Sequence, residues 1–86
     1  MASYKITWKR SALKELEKLP KATIGKVVRI VEKLSVNPYP QEVRKMVGVD
    51  QTFRIRIGQY RIIYNVLDEV LEIEIIRVKH RKDVYR

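Results

Sequence analysis

The feature that most constrains this chain is segment 52–65, in which apolar and basic residues alternate before a glycine and a second, mainly apolar run with one arginine follows it. Alternation with a period of two is typical of β-strands, because successive side chains of a strand point to opposite faces. Two runs that meet at Gly58 and Gln59 predict a β-hairpin. The apolar face of its first strand consists of Phe53, Ile55 and Ile57. The segment therefore predicts a sheet with one face packed against the rest of the molecule.

The opposite face of the predicted hairpin is basic. Arg54 and Arg56 lie on its first strand, and Arg61 follows just after the turn. Three like charges held close together on a rigid sheet repel one another, and a protein tolerates them most readily where its partner is a polyanion. The hairpin therefore indicates a surface that binds a polyanion.

Length and composition narrow the class of protein. With 86 residues, of which 45% are hydrophobic, the chain suits one domain, residues 1–86, with a modest core. The lack of cysteine excludes disulfides and suits a reducing cytoplasm. Neither a signal-peptide run nor a stretch of ~20 apolar residues is present, so a soluble cytoplasmic protein is expected. The net charge of +9 fits a nucleic acid, an anionic membrane or an acidic protein, and the lack of a long basic amphipathic helix disfavours the membrane.

The remaining elements follow from changes of period along the chain. The predicted elements are a strand at 3–8, helices at 9–19 and 21–36, a strand at 43–47, the hairpin, and a strand at 70–78. Pro20 separates the helices, and the irregular pattern at Ile76 indicates a bulge or the end of pairing. This order predicts an α+β fold, in which an N-terminal strand and an antiparallel helix pair pack on a four- to five-stranded, mainly antiparallel sheet. The other sheet face is then free to carry the arginines.

The chain offers few kinds of chemistry. With one histidine and no cysteine it lacks a metal-binding cluster, and no glycine-rich phosphate loop is present, so no metal or cofactor is expected. What remains is a basic constellation of Arg54, Arg56, Arg61, His80, Arg81 and Tyr85. Arginine forks suit phosphate, tyrosine can stack on a base, and histidine suits proton transfer near neutral pH. These residues favour RNA or DNA binding, with RNA cleavage and ordinary surface charge both left open.

Four segments in this order resemble the RelE/ParE superfamily of toxin–antitoxin toxins, and its RelE branch more than its ParE branch. They are SALKELEKLP at 11–20, the Asn37-Pro38 break, FRIRIGQYRIIY at 53–64 and VKHRKDVY at 78–85. Each segment alone is a weak signal, whereas all four in order are a strong one, and the resemblance extends over nearly the whole chain. The resemblance implies a compact α+β fold similar to microbial ribonucleases.

The resemblance also implies an activity and a partner. The activity is ribosome-dependent, metal-independent endonuclease cleavage of mRNA in the ribosomal A site, which arrests translation. The partner is an acidic, RelB-like antitoxin, through which such a protein oligomerises. The resemblance matches Arg54 and Arg56 to basic strand positions, Arg61 to the arginine after an aromatic residue, Arg81 to the catalytic arginine and Tyr85 to the tail tyrosine. Further RNA contacts are expected from Arg44, Lys45, Arg77, Lys79 and Lys82.

One departure from the family pattern concerns the general base. Well-known RelE-type members have lysines where this chain has Arg54 and Arg56, and one of those lysines is assigned as the base. Arginine effectively never deprotonates in a protein, so neither arginine can take that role. Three alternatives stay open: His80 takes the 2′ proton, the ribosome or the RNA supplies the base, or the activity is weak.

Two other functions compete with the nuclease. ParE-type relatives share the scaffold but poison DNA gyrase and lack the catalytic set, and the presence of Arg61, Arg81 and Tyr85 weighs against that function here. A plain basic RNA-binding module is the second alternative, and it predicts binding that falls steeply with salt.

Overall fold

The structure is a computed structural model of the chain, and it describes residues 3–46, 48 and 51–83. Its elements are β1 (Lys5–Trp8), α1 (Arg10–Glu17), α2 (Lys21–Leu34), β2 (Val43–Lys45), β3 (Thr52–Ile57), β4 (Tyr60–Leu67) and β5 (Glu72–His80), with a short 3₁₀ helix at Asp68–Val70. The strands in this described part form one five-stranded sheet of order β1-β5-β4-β3-β2. The β1–β5 pair is parallel and the other pairs are antiparallel. The predicted α+β fold is confirmed.

The central hairpin turns at the predicted residues. Gly58 has a φ of 59°, a left-handed conformation that glycine adopts without a steric cost. A left-handed residue at the first turn position followed by an ordinary one matches a type II′ turn, which suits the twist of paired strands. This two-residue turn sets the register, so that Arg56 lies opposite Arg61 and Ile57 lies opposite Tyr60. The basic side chains of the hairpin therefore share one face.

The core lies between the helices and the other face of the sheet. The buried apolar residues are Ala12 and Leu16 from α1, Val27, Val31 and Leu34 from α2, and Ile55, Ile57, Ile62, Tyr64, Val66, Ile73, Ile75 and Val78 from the sheet. Trp8 packs against this cluster, as its place on the apolar side of β1 predicts. The fully buried Tyr64 donates its hydroxyl to the Pro38 carbonyl at 2.8 Å, and burial raises the pKa of this phenol. The helices cover one side of the sheet and leave the arginine side open.

Both helices are shorter than the sequence predicts. After Leu34 the N–H groups of Ser35 and Val36 bond to the carbonyls three residues earlier, of Glu32 and Lys33. Such i to i−3 bonds tighten and end an α-helix. In the described ranges no helix is long and apolar enough to cross a membrane.

A shared carboxylate ties the loop before β2 to the rest of the molecule. Tyr4 and Tyr39 both donate their hydroxyls to Asp68, at 2.6 and 2.9 Å. Burial, with the hydrogen bond and charge of Asp68, raises the pKa of Tyr39 to about 12. The hydrogen bond to Asp68 is also the main reason that the pKa of Tyr4 is raised. Both phenols therefore stay protonated as donors, and the loop that leads into β2 is anchored at its middle.

The last strand differs from its prediction at both ends. It begins at Glu72 because Leu71 has a φ of 51°, so the predicted start of this strand at residue 70 is wrong. The predicted irregularity at Ile76 is a bulge, since Ile75 pairs with Tyr64 while Arg77 pairs with the preceding residue of β4. The strand then continues to His80. The bulge shifts the side-chain alternation by one residue in the second half of β5.

Helix α1 covers the edge of β5 beyond the end of β1. Strand β1 pairs only with Glu72–Ile75, and beyond that point Glu15 accepts a hydrogen bond from the Val78 N–H at 2.8 Å. Its other carboxylate oxygen contacts Lys79 Nζ at 2.9 Å and Arg77 Nη2 at 3.3 Å. Partial burial works to raise the pKa of Glu15, but the Val78 N–H and the two cations together lower it. An edge that would otherwise be open to strand pairing is thus closed by a side chain.

Candidate nucleic-acid interface

Four arginines from three neighbouring strands line a cavity of about 180 Å³ on the open face of the sheet. They are Arg44 on β2, Arg54 and Arg56 on β3, and Arg61 at the start of β4. We name this cavity the arginine cleft. Arg44 lies directly opposite Arg54, and Arg56 lies directly opposite Arg61. The three hairpin arginines that the sequence singles out are therefore brought together, and Arg44 joins them.

The cleft is electrostatically costly for the free protein. Like charges placed directly opposite each other on neighbouring strands destabilise a sheet by roughly 0.2–1 kcal/mol a pair. Arg61 donates from Nη1 to the carbonyls of Gly58 at 3.2 Å and Tyr60 at 3.0 Å. Carbonyl groups orient a guanidinium but do not cancel its charge. The cleft is therefore preorganised for an anion with several oxygen acceptors, such as a phosphate group.

The other expected RNA-binding residues do not line the cleft, although Lys79 pairs with Arg61. Lys45 pairs with Phe53, so its side chain is on the helix-side face and away from the cleft. Arg77 and Lys79 contact Glu15, which offsets part of their charge. Lys82 is exposed in the turn after β5. Of these basic residues outside the hairpin, Arg44 is the one that the fold adds to the cleft.

Arg81 lies at the same end of the sheet as the hairpin turn. Its backbone N–H donates to the Gln59 carbonyl at 2.7 Å, and its side chain is exposed. The Asp83 N–H bonds to the His80 carbonyl at 2.8 Å and closes a turn over 81–83. We name residues 81–83 the closing turn. Tyr85, the expected base-stacking residue, lies outside the described residues.

His80 does not face the arginines. It pairs with Tyr60, whereas the neighbouring Lys79 pairs with Arg61, so the imidazole lies on the helix-side face. Its ring meets the Tyr60 ring edge to face, with centroids 5.5 Å apart. Its Nδ1 accepts a hydrogen bond from the Lys82 N–H at 3.2 Å. The expectation that this imidazole joins the arginines at one phosphate is not met, because the bulge reverses which side chains of β5 face the open side.

The opposite end of the open face is polar and satisfied by its own contacts. Thr52 donates to Asn65 Oδ1 at 2.6 Å, and Asn65 donates from Nδ2 to Glu74 at 3.3 Å. Thr7 donates to Glu72 at 3.4 Å. We name Thr52, Asn65 and Glu74 the polar ladder. Glu72 and Glu74 are thus held by neutral partners, and in the described part of the chain no group of three or more metal-ligating side chains is placed to hold a metal ion.

The comparisons with known proteins agree with one another. Residues 6–85 match the family described as the ParE toxin of type II toxin–antitoxin systems. The chain belongs to this RelE/ParE toxin family. It is 32% identical to a putative toxin RelE1 of Methanocaldococcus jannaschii, over 90% of this chain and 89% of that one. It is 34% identical to toxin RelG of Mycobacterium tuberculosis, over 96% and 97%.

A solved relative gives the same result for the fold. The archaeal RelE–RelB complex from Pyrococcus horikoshii contains a chain that superposes with a TM-score of 0.84 at 30% identity, covering 95% of this chain and 99% of that one. The family predicted from the four sequence segments is confirmed, and the named relatives lie on its RelE side.

The lining residues of this RelE/ParE toxin chain limit which chemical roles the arginine cleft can take. Its four lining residues are arginines, which stay charged at any pH that a protein tolerates. The cleft can therefore bind a phosphate and stabilise negative charge that develops on it. It cannot supply a general base, because a base must first lose its own proton and arginine does not do so in proteins.

Proposed function

We propose that this RelE/ParE-family chain is a ribosome-dependent endonuclease that cleaves mRNA in the ribosomal A site without a metal ion and so arrests translation. The observation that carries the proposal is the arginine cleft, in which four guanidinium groups from three strands surround one cavity. A protein that only needed a basic surface gains nothing from opposing like charges across strand pairs, where they cost stability.

The proposed reaction is an in-line transesterification within the RNA. The 2′ oxygen attacks the adjacent phosphorus, the bond from phosphorus to the 5′ oxygen breaks, and the products are a 2′,3′-cyclic phosphate and a free 5′ hydroxyl. Arg54, Arg56 and Arg61 stabilise the charge that develops on the phosphate oxygens, which is usually a large catalytic effect. Arg81 stabilises the leaving 5′ oxygen, which takes a proton from water to give the 5′ hydroxyl, and Tyr85 orients a base by stacking.

The 2′ proton needs an acceptor from outside the cleft. The lining arginines do not deprotonate, and the Nδ1 of His80 is occupied by the Lys82 N–H. We therefore assign the general base to the ribosome or to the RNA itself. This agrees with an activity that depends on the ribosome. The chain then positions the RNA and stabilises its charge, while the ribosome or the RNA accepts the proton.

The proposed partner is an acidic antitoxin of the RelB type in the cytoplasm. The related archaeal chain is in a complex with RelB. The net charge of +9 makes an acidic partner electrostatically favourable, because such a partner neutralises the basic face before RNA can reach it. In this proposal the toxin oligomerises mainly through the antitoxin complex.

The test is cleavage of mRNA on programmed ribosomes, measured by primer extension. Arg61→Ala is expected to lower the cleavage rate about 10²–10³-fold, as for other lost donors to a developing oxyanion. Arg29→Ala, which removes an exposed arginine of α2, is the matched control and is expected to leave the rate unchanged. Equal rates for wild type and Arg61→Ala would remove the cleft from the mechanism.

The competing function is inhibition of DNA gyrase, which the ParE description of the matching family favours. A supercoiling assay with purified gyrase separates the two functions. The nuclease proposal expects no gyrase inhibition and no double-strand breaks, together with cleaved mRNA in a translation extract. Gyrase inhibition by both wild type and Arg61→Ala, without mRNA cleavage, would reverse the assignment.

A further inference from the structure

The closing turn depends on one side-chain hydrogen bond. The Arg81 N–H bonds to the Gln59 carbonyl, and the Asp83 N–H bonds to the His80 carbonyl, so these contacts are purely backbone. The Lys82 N–H instead bonds to the Nδ1 of His80, 3.2 Å away. The bond runs from residue i+2 back to a side-chain acceptor of residue i, which is the geometry of an Asx turn. The turn that carries Arg81 is therefore fixed in part by an imidazole.

The imidazole is held in one orientation. Tyr60 on β4 contacts it edge to face, with an interplanar angle of 85°. Because Nδ1 accepts a hydrogen bond, the neutral ring carries its proton on Nε2. A general base needs a free lone pair directed at the substrate. In this ring the Nδ1 lone pair accepts the Lys82 N–H of the closing turn, and the ring lies on the helix-side face.

We infer that His80 is a positioning residue, which holds the closing turn through Nδ1 so that Arg81 stays beside the hairpin turn and the arginine cleft. The bond from the Arg81 N–H to Gln59 places this residue next to the loop that leads directly into Arg61. The effect on catalysis rests on the proposed nuclease function, whereas the hydrogen bond and its effect on the closing turn are independent of that function.

Protonation of the ring breaks this arrangement. An imidazolium is a donor at both nitrogens, so Nδ1 can no longer accept from the Lys82 N–H. A protonated His80 therefore cannot anchor the closing turn. The other titratable or charged groups on the surrounding elements are Tyr60 of β4, Glu15 of α1, Lys79 of β5, and Arg81, Lys82 and Asp83 of the closing turn.

The first test uses the isolated whole chain and needs no activity. Nitrogen-15 NMR of the ring is expected to show the Nε2–H tautomer at pH 8. Amide exchange at Lys82 is expected to be slow in wild type and in His80→Asn, whose Oδ1 can accept the same i to i+2 bond. In His80→Gln, whose acceptor is one bond further out, exchange is expected to be about two- to tenfold faster, the effect of losing one hydrogen bond. An Nδ1–H tautomer, or equal exchange in all three proteins, would overturn the inference.

The second test measures cleavage of ribosome-bound mRNA. The positioning role expects His80→Asn, which keeps an acceptor for the i to i+2 bond, to cleave at the wild-type rate. His80→Gln is expected to be slow, and Lys26→Asn on α2 is the surface control. Loss of activity in His80→Asn, with a slow Lys82 amide retained, would identify His80 as the base and refute the positioning role. If wild type cleaves nothing, the nuclease proposal fails, and the NMR experiment alone decides the role of His80.

Discussion

The two ends of the open face of the sheet differ in how their facing side chains are matched. At the polar ladder, Thr52, Asn65 and Glu74 satisfy one another through hydrogen bonds across three strands. At the arginine cleft, the residues that face one another carry the same charge. Both ends arise from the same alternation along β3 and β4, so secondary structure does not explain the difference. A surface whose polar groups find partners within the chain stabilises the fold, whereas a surface that opposes like charges is arranged for something outside it.

The sharpest way to break this comparison is to empty the cleft. Arg54→Ala combined with Arg56→Ala is expected to lower mRNA cleavage at least about 10²–10³-fold, because it removes donors to the reacting phosphate. In Arg56→Ala alone the free energy of unfolding is expected to stay level or rise slightly, since its opposition to Arg61 costs roughly 0.2–1 kcal/mol. Cleavage assays measure the first quantity and urea unfolding the second. A large loss of stability in Arg56→Ala would mean that the cleft is structural.

The basic residues that share Glu15 are expected to behave in the opposite way. Glu15→Ala leaves the Val78 N–H, Lys79 and Arg77 without their shared acceptor. An unsatisfied, partly buried donor costs about 1–3 kcal/mol, so the free energy of unfolding should fall by that amount. Urea unfolding measures it, and Glu17→Ala on the exposed side of α1 is the control. Unchanged stability would show that α1 does not close the edge of β5.

The same contact makes a prediction about pH. The folded state lowers the pKa of Glu15 below its ordinary value of 4.5, so the unfolded chain binds this proton more readily than the folded one. The stabilisation is therefore fully present above pH 4.5 and is lost as the pH falls through the lower, folded pKa. The difference in unfolding free energy between wild type and Glu15→Gln should shrink between pH 5 and pH 3. A difference that stays constant over this range would show that hydrogen bonding alone, without charge, accounts for the contact.

The sequence predicts one end of the open face well and the other end poorly. Alternation with a period of two and a glycine at Gly58 are local signals, so the hairpin, its turn and the shared face of Arg54 and Arg56 follow from them. The place of Arg44 depends on how β2 pairs with β3, and no local pattern sets that register. Strict alternation from Glu74 would put His80 on the open face with the arginines. A single extra residue at the bulge reverses this and puts His80 on the helix-side face. That change of face can be deduced only once the pairing of β5 with β4 is known.

A smaller effect is expected at the polar ladder. Thr52 is 6% exposed and its hydroxyl donates a hydrogen bond to Asn65, so Asn65→Ala leaves a buried hydroxyl without its acceptor. The free energy of unfolding should fall by about 1–2 kcal/mol, while mRNA cleavage should stay within twofold of wild type. Thermal unfolding and the ribosome assay measure the two quantities. A loss of cleavage that exceeds the loss of folded protein would extend the functional surface across the whole open face and remove the distinction between its two ends.

The smallest effect gives the finest test, because it compares two neighbouring residues of one short strand. Arg44 lines the cleft, whereas Lys45 faces the helix side, and both are exposed basic residues of β2. If RNA binds at the cleft, Arg44→Gln removes one phosphate contact and should lower the slope of log K against log salt by about 0.7, the value for one charge on a single strand. Lys45→Gln removes the same formal charge but no contact, so its slope should match that of wild type. Filter binding of a short single-stranded RNA at several salt concentrations measures both slopes. Equal changes in the two variants would show that RNA responds only to the net charge of the chain, and the opposed arginines of the cleft would then need another explanation.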